Sequence, residues 1–238
     1  YGEGLDGLLR ARSNSLRGIV NGIDYNDFNP ETDINLSARY NATTFRKEKV
    51  KNKIQLQKDL GLEQDPKAMM IGIVSRLTDQ KGFDLIAYIM DELCQDSVQI
   101  VALGTGDERY ENMFRHFDWK YHGKVSAQIY YDESMSHRIY AASDAFLMPS
   151  LFEPCGLSQL MSLRYGTVPI VRETGGLKDT VIPYNEYTKE GTGFSFANYN
   201  AHEMLAIIRY AKKTYFNDRR AWNEMVLRAM KQDFSWDA

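Results

Sequence analysis

From about Lys67 onward, short runs rich in apolar and β-branched residues alternate with longer segments of helical period. This is the pattern of a parallel sheet covered by helices. It restricts the chain more than any other feature, because parallel strands need crossover connections and those connections are right-handed. Strands are expected at 68–75, 98–104, 125–131, 145–150, 168–173 and 193–196, with helices at 83–94, 108–119, 134–142, 156–165 and 177–182. A helical tail is expected at 202–216 and 218–232, where Met204, Leu205, Ile207, Ile208 and Tyr215 form an apolar stripe. The fold class is α/β.

The first 66 residues read differently. Residues 18–24 look like a strand ending in a turn, and the polar stretch 25–35 with Pro30 reads as a connection between units. Residues 46–60, dense in Lys and Gln, are expected to form a solvated amphipathic helix ending at Gly61. Residues 1–17 have nothing else in the chain with which to form a domain, and the chain starts at Tyr1, so it is expected to be incomplete. At about 150 residues per domain, 238 residues fall between one domain and two.

Composition removes several function classes. Lys and Arg number 29 against 32 Asp and Glu, a net charge of -3, so no basic field invites nucleic acid or acidic lipid. Any anion must then be held by local geometry. Cys94 and Cys155 are too few for a disulfide framework, and no Cys/His cluster has zinc spacing, which makes a reducing compartment the default. No apolar run is long enough to span a membrane, and no signal-like segment opens the chain.

In open α/β sheets ligands sit beyond the carboxyl ends of the strands. After the first strand, Ser75-Arg76-Leu77-Thr78-Asp79-Gln80-Lys81-Gly82 places two cations where a helix begins, an end whose dipole disfavours them. An anion held between Arg76 and Lys81, with Gly82 permitting close approach, accounts for both; so does pairing with Asp79 and Asp84. The second strand ends in Leu103-Gly104-Thr105-Gly106-Asp107, small residues that admit a ligand or simply make a tight turn. A dinucleotide fingerprint fails there, because Arg109 occupies the third glycine position. Tyr131, at the end of the third strand, can stack on a nucleobase or pack at the sheet edge. His137 reads as a helix-surface or capping residue without a catalytic role.

The strongest signal is Ser150-Leu151-Phe152-Glu153-Pro154-Cys155-Gly156-Leu157-Ser158-Gln159. A helix starting near Gly156 would leave the amides of Gly156, Leu157 and Ser158 unpaired, and such a terminus binds phosphate without net positive charge. Ser158 adds a hydroxyl donor. Glu153 can accept hydrogen bonds from sugar hydroxyls or merely complement the helix terminus, and Cys155 reads as a packing residue or a backbone contact. Thr174-Gly175-Gly176 offers a second cradle of amides or a commonplace glycine turn. Convergence decides between the alternatives: a cation pair, a glycine turn, an aromatic and two helix N-termini share one sheet edge. A nucleoside diphosphate attached to a hydroxylated group fits them together.

These motifs resemble the carboxyl-terminal half of bacterial glycogen synthases and plant starch synthases. The resemblance runs across nearly the whole chain and rests on Ser75-Arg76-Leu77-Thr78, Gln80-Lys81-Gly82, Ser136-His137-Arg138, Phe152-Glu153-Pro154-Cys155-Gly156-Leu157, Thr174-Gly175-Gly176-Leu177 and Asp233-Phe234-Ser235-Trp236. It implies a GT-B fold, two Rossmann-like domains facing across a cleft, of which this chain is the donor-binding half. Residues 1–18 would be a remnant of the amino-terminal domain, 19–66 the interdomain connection and first helix, and 67–238 the Rossmann-like nucleotide-sugar-binding domain, truncated at its carboxyl end.

The implied reaction is transfer of glucose from ADP-glucose to the non-reducing end of an α-1,4-glucan, with retention of configuration. By position, Arg76 and Lys81 would grip the diphosphate and Glu153 would hold glucose hydroxyls. Tyr131 would stack on adenine, while Gly104, Cys155, Gly156, Leu157, Ser158, Thr174, Gly175 and Gly176 would line the donor site. No metal or other cofactor is implied, since charge on leaving ADP is met by the cations. Many related retaining transferases carry a second glutamate where this chain has Met161, a departure shared with the glycogen and starch synthases. Lacking the amino-terminal domain, the chain is expected to be inactive alone. Its partners would be ADP-glucose, the glucan and that missing domain, in the cytoplasm of a bacterium or the plastid of a plant. A non-catalytic nucleotide-sugar-binding module is the competing expectation.

Overall fold

Runs that are apolar on both faces can be buried only inside a sheet covered on both sides, and the chain builds one. The computed structural model describes residues 4–236; Tyr1, Gly2 and Glu3, with Asp237 and Ala238 of the expected domain, lie outside the described residues. Six parallel strands, β1 (Met69–Val74), β2 (Val98–Leu103), β3 (Val125–Gln128), β4 (Ala145–Met148), β5 (Val168–Arg172) and β6 (Phe194–Phe196), lie in the order β3-β2-β1-β4-β5-β6. Every residue of β2 and β4 is buried. The order reverses between β1 and β4, and that switch point is where such sheets open a crevice for ligands.

Helices α1 (Asp6–Ala11), α2 (Phe45–Asp59), α3 (Phe83–Leu93), α4 (Glu108–Lys120), α5 (Glu133–Ala142), α6 (Ser158–Arg164), α7 (Gly175–Thr180), α8 (Ala201–Asn217) and α9 (Arg219–Lys231) complete the chain. The larger core packs α3, α4, α8 and α9 around Phe83, Phe114, Phe146, Phe194 and Trp222. A smaller one joins α2 and α5 to β1 and β2 through Leu56, Met70, Val101 and Ile139. None of the described helices is long and apolar enough to cross a membrane.

Four expectations are corrected. Residues 18–24 form no strand; they are irregular and mostly exposed until the Ile23 amide donates to the Phe234 carbonyl at 2.8 Å. The helix over 45–59 is far from solvated, because Lys49, Asn52, Lys53 and Gln57 are all buried. Lys49 donates to the carbonyls of Ala141 at 2.9 Å and Tyr165 at 3.1 Å, and Lys53 pairs with Asp144 at 2.5 Å. Helix α6 begins two residues later than expected, since Gly156 sits at φ +75°, outside the helical region. Helix α7 begins two residues earlier, at Gly175.

Candidate functional site

The loops after β1, β2 and β3 and the first turn of α6 surround a cleft of about 450 Å³. Its walls bring together four of the expected site residues, Arg76, Gly104, Tyr131 and Ser158. The Arg76 side chain is exposed and has no ion pair or hydrogen bond among the described residues, so its charge faces the cleft uncompensated. Tyr131 is 85% exposed at the rim, which leaves its ring face open for stacking. At Gly104 a side chain is impossible: a Cβ would lie 1.8 Å from the Ser75 carbonyl oxygen. That glycine keeps the first two loops in backbone contact.

Lys81 and Glu153 do not line this cleft; they form an adjoining pair. The Lys81 ammonium donates to Glu153 Oε2 at 2.5 Å, with the two side chains only 16% and 8% exposed. Ser150 Oγ reaches the same oxygen at 3.3 Å. The alternative pairing of Arg76 and Lys81 with Asp79 and Asp84 does not occur. Asp79 instead accepts from the Tyr110 hydroxyl and from Arg109, which hold its carboxyl below the usual range, and Asp84 accepts from Tyr199.

Three backbone approaches fix the loop that carries Glu153. Gly82 lies where a Cβ would sit 2.2 Å from the Pro149 oxygen, so the close approach it permits is to protein. Beside Gly175 and Gly176 a Cβ would meet the Glu153 oxygen at 2.1 Å and the Cys155 oxygen at 2.0 Å. The Gly176 amide donates to the Glu153 carbonyl at 3.1 Å. Thr174-Gly175-Gly176 thus serves first to dock α7 against the Glu153 loop, and only part of the expected amide cradle faces outward. Gln159 closes the same loop, its Nε2 donating to the carbonyls of Cys155 at 2.9 Å and Gly156 at 3.1 Å. Leu157 is exposed ahead of α6. The Ser158 hydroxyl makes a long contact, 3.5 Å, to the Val74 carbonyl and hydrogen-bonds with the buried Tyr140 side chain.

Several contributors escaped the sequence reading. Phe28, Thr105, Ser136 and Met161 line the cleft, and Phe28 arrives from the polar connection, where an isolated aromatic gives no periodic signal. Arg172 at the end of β5 donates to the carbonyls of Ser150, Leu151 and Ala197. His137 is buried, which corrects its surface assignment: Nδ1 lies 2.7 Å from Asp33 Oδ2, and its ring stacks on Phe28 with centroids 4.7 Å apart. Burial would raise the Asp33 pKa, but hydrogen bonds with His137, Tyr165 and the Asn35 amide outweigh it and hold that carboxyl below the ordinary range.

A parallel sheet of this order, with an uncompensated cation, an exposed aromatic and glycine-lined loops at its carboxyl edge, defines a doubly wound α/β domain with a ligand crevice at its switch point. The family of glycosyl transferases group 1 matches residues 54–226, and the chain belongs to it. Within that family it is 73% identical over its whole length to the glycogen synthase of Lachnospira eligens, and 64% identical over 236 residues to that of Lachnoclostridium phytofermentans. The chain spans about half the length of these relatives, 50% and 49%. The catalytic domain of starch synthase IV from Arabidopsis thaliana, solved bound to ADP and acarbose, superposes with a TM-score of 0.93 at 37% identity. That match covers 99% of this chain and 49% of the other, and it bears out the GT-B fold class.

Proposed function

We propose that the chain is the donor-binding half of a glycogen synthase that transfers glucose from ADP-glucose to the non-reducing end of an α-1,4-glucan with retention of configuration. The observation that carries this reading is the cleft itself, in which Arg76 is unpaired, Tyr131 is exposed and Gly104 brings backbone close to any occupant. ADP bound to the starch synthase relative supports the choice of nucleotide.

In this reading adenine stacks on Tyr131, and the diphosphate lies against Arg76, the Ser158 hydroxyl and the amides of Gly156 and Leu157, just ahead of α6, and of Ser158, its first residue. Lys81 meets the charge that develops on the β-phosphate oxygen as the bond from glucose C1 to that oxygen breaks and a new bond from C1 to the acceptor oxygen forms. Glu153 Oε2 orients Lys81, and its second oxygen, which has no partner among the described residues, accepts from a glucose hydroxyl. Thr174, Gly175, Gly176 and Cys155 complete the donor pocket from behind. The cations supply the electrostatic stabilisation, so the mechanism needs no metal. Acceptor positioning falls to an amino-terminal domain, of which residues 1–18 would be the end, and 19–66 would connect the two; the chain alone therefore binds donor without turning it over. A cytoplasmic location accompanies this function in a bacterium.

Calorimetry with ADP is the test. Binding is expected, weakened by added salt because Arg76 and Lys81 contribute charge attraction. It should fall by about tenfold in Arg76→Ala and in Tyr131→Ala, each removing about 1–2 kcal/mol. No heat with ADP in a folded sample, or unchanged affinity in both variants, overturns the assignment. Turnover of ADP-glucose by the full-length gene product, lost in Lys81→Ala and Glu153→Ala, separates a synthase from a binding module.

A further inference from the structure

Far from the cleft, at the opposite edge of the sheet, Asp144 precedes β4 and Gly166 precedes β5. There the first turns of α2 and α9 enclose a notch of about 100 Å³, room for roughly three waters at about 30 Å³ each or for one tetrahedral ion. Three cations line it, Arg46, Lys49 and Arg219, and the sole carboxylate in its lining is Asp144. Asp144 is already committed, accepting from Lys53 at 2.5 Å and from the Met70 amide at 2.8 Å. We propose that this notch binds a small tetrahedral oxyanion, inorganic phosphate or a phosphate monoester.

The argument is one of charge and burial. Lys49 is buried and has no carboxylate within ion-pair distance among the described residues. Its donors meet the carbonyls of Ala141 and Tyr165 and the Thr167 hydroxyl at 2.9, 3.1 and 2.8 Å. Those dipoles satisfy hydrogen bonding but leave the charge unbalanced, and an uncompensated buried charge is costly. Burial and the neighbouring Lys53 accordingly push the Lys49 ammonium down to about 7 against the pull of Asp144. Arg46 and Arg219 have no ion pair among the described residues; they rest over the rings of Phe45 and Tyr215, at 5.8 and 3.9 Å from the centroids. In a chain of net charge -3, so many cations around one committed carboxylate depart from the average surface. Both helices open at the notch, which adds their dipoles to the same field, offset in part by Glu48 in the first turn of α2 and by the Asp218 carboxylate that caps α9 through the Ala221 amide at 3.0 Å. Asn223, half-buried in the lining, supplies a neutral donor.

The test is an NMR titration of the 238-residue chain with inorganic phosphate and, separately, with a sugar phosphate, followed by backbone amide shifts. Expected are saturable shifts at residues 45–50 and 219–223 that persist in Arg76→Ala and weaken about tenfold in the Arg46→Gln, Arg219→Gln double variant. Both arginines are exposed, so the fold is retained; each single variant, weakening binding about threefold, repeats the test. Tighter binding of the sugar phosphate identifies a monoester as the occupant, and equal binding identifies the free ion. Shifts confined to the loops after β1 and β4 overturn the proposal. So does a response that fails to saturate or is matched by chloride, which marks an adventitious ion only.

Discussion

Replacing Lys81 by Met keeps the aliphatic stem and deletes the cation facing Glu153. The carboxylate, 8% exposed, would then retain only the Ser150 hydroxyl at 3.3 Å. Removing one member of a fully buried ion pair costs about 3–5 kcal/mol. Because Lys81 keeps 16% of its side chain in water, solvent can partly replace it, and the expected loss is about 2–3 kcal/mol. Glu153→Gln leaves an ammonium that can turn to solvent and should cost about 1 kcal/mol. The double variant should lie within about 1 kcal/mol of Glu153→Gln alone, a coupling of about 2 kcal/mol. Urea unfolding of the four proteins at one pH and ionic strength gives these values, provided the slopes agree. Losses that simply add, with coupling under about 0.5 kcal/mol, would refute the view that the two side chains form one buried joint.

Other substitutions probe the scaffold. In the folded chain Lys49 ionises near pH 7, against 10.5 as its ordinary value, so between those limits the unfolded state binds more protons. The stability of wild type relative to Lys49→Met should therefore rise with pH, by up to about 1.4 kcal/mol per unit inside that window. A difference that stays flat from pH 7 to pH 10 in chemical denaturation counts against it. Arg172→Ala removes the clamp on the Ser150 and Leu151 carbonyls and should cost about 2 kcal/mol while weakening ADP binding, although Arg172 touches no ligand in the proposed site. If ADP affinity is unchanged in calorimetry, the clamp does not position the Glu153 loop. Gly176→Ala, whose Cβ would fall 2.0 Å from the Cys155 oxygen, should destabilise by about 1–3 kcal/mol and lower ADP affinity in the same assay. Wild-type affinity there would mean that α7 and the Glu153 loop move independently.

The sheet was legible because its strands are doubly buried: β1 and β2 read as continuous apolar runs, which only a covered parallel sheet explains. The expected strand ends overshoot into the loops, since extended backbone pairing continues there; the Leu77 amide still donates to the Thr105 carbonyl at 2.9 Å. What could not be read is burial of polar groups. Nothing local in Lys49, Lys53 or Gln57 announces that partners 8 to 162 positions away will satisfy them. His137 was misplaced for the same reason, because its partner Asp33 lies 104 residues upstream. Arg76 and Tyr131 were legible as cleft residues through their place after strands. The Lys81–Glu153 pair was not, because its members, 72 positions apart, meet only through the fold. The glycines were recognised as places of close approach, but whether ligand or protein does the approaching depends on packing across loops.

That packing bears on how such a domain can be re-engineered. Gly82 abuts Pro149, Gly104 abuts Ser75, and Gly175 and Gly176 abut Glu153 and Cys155, in each case backbone against backbone. The loops after four different strands are therefore interlocked like the pieces of an arch, with the glycines as the faces where stones meet. Grafting one loop from a relative would jam against its neighbours, whereas exchanging all four as a set would preserve the fit. A mutational library across the domain should thus be sharply intolerant at these glycines and permissive at exposed Tyr131, so donor preference would be tuned from the rim while the arch stays intact.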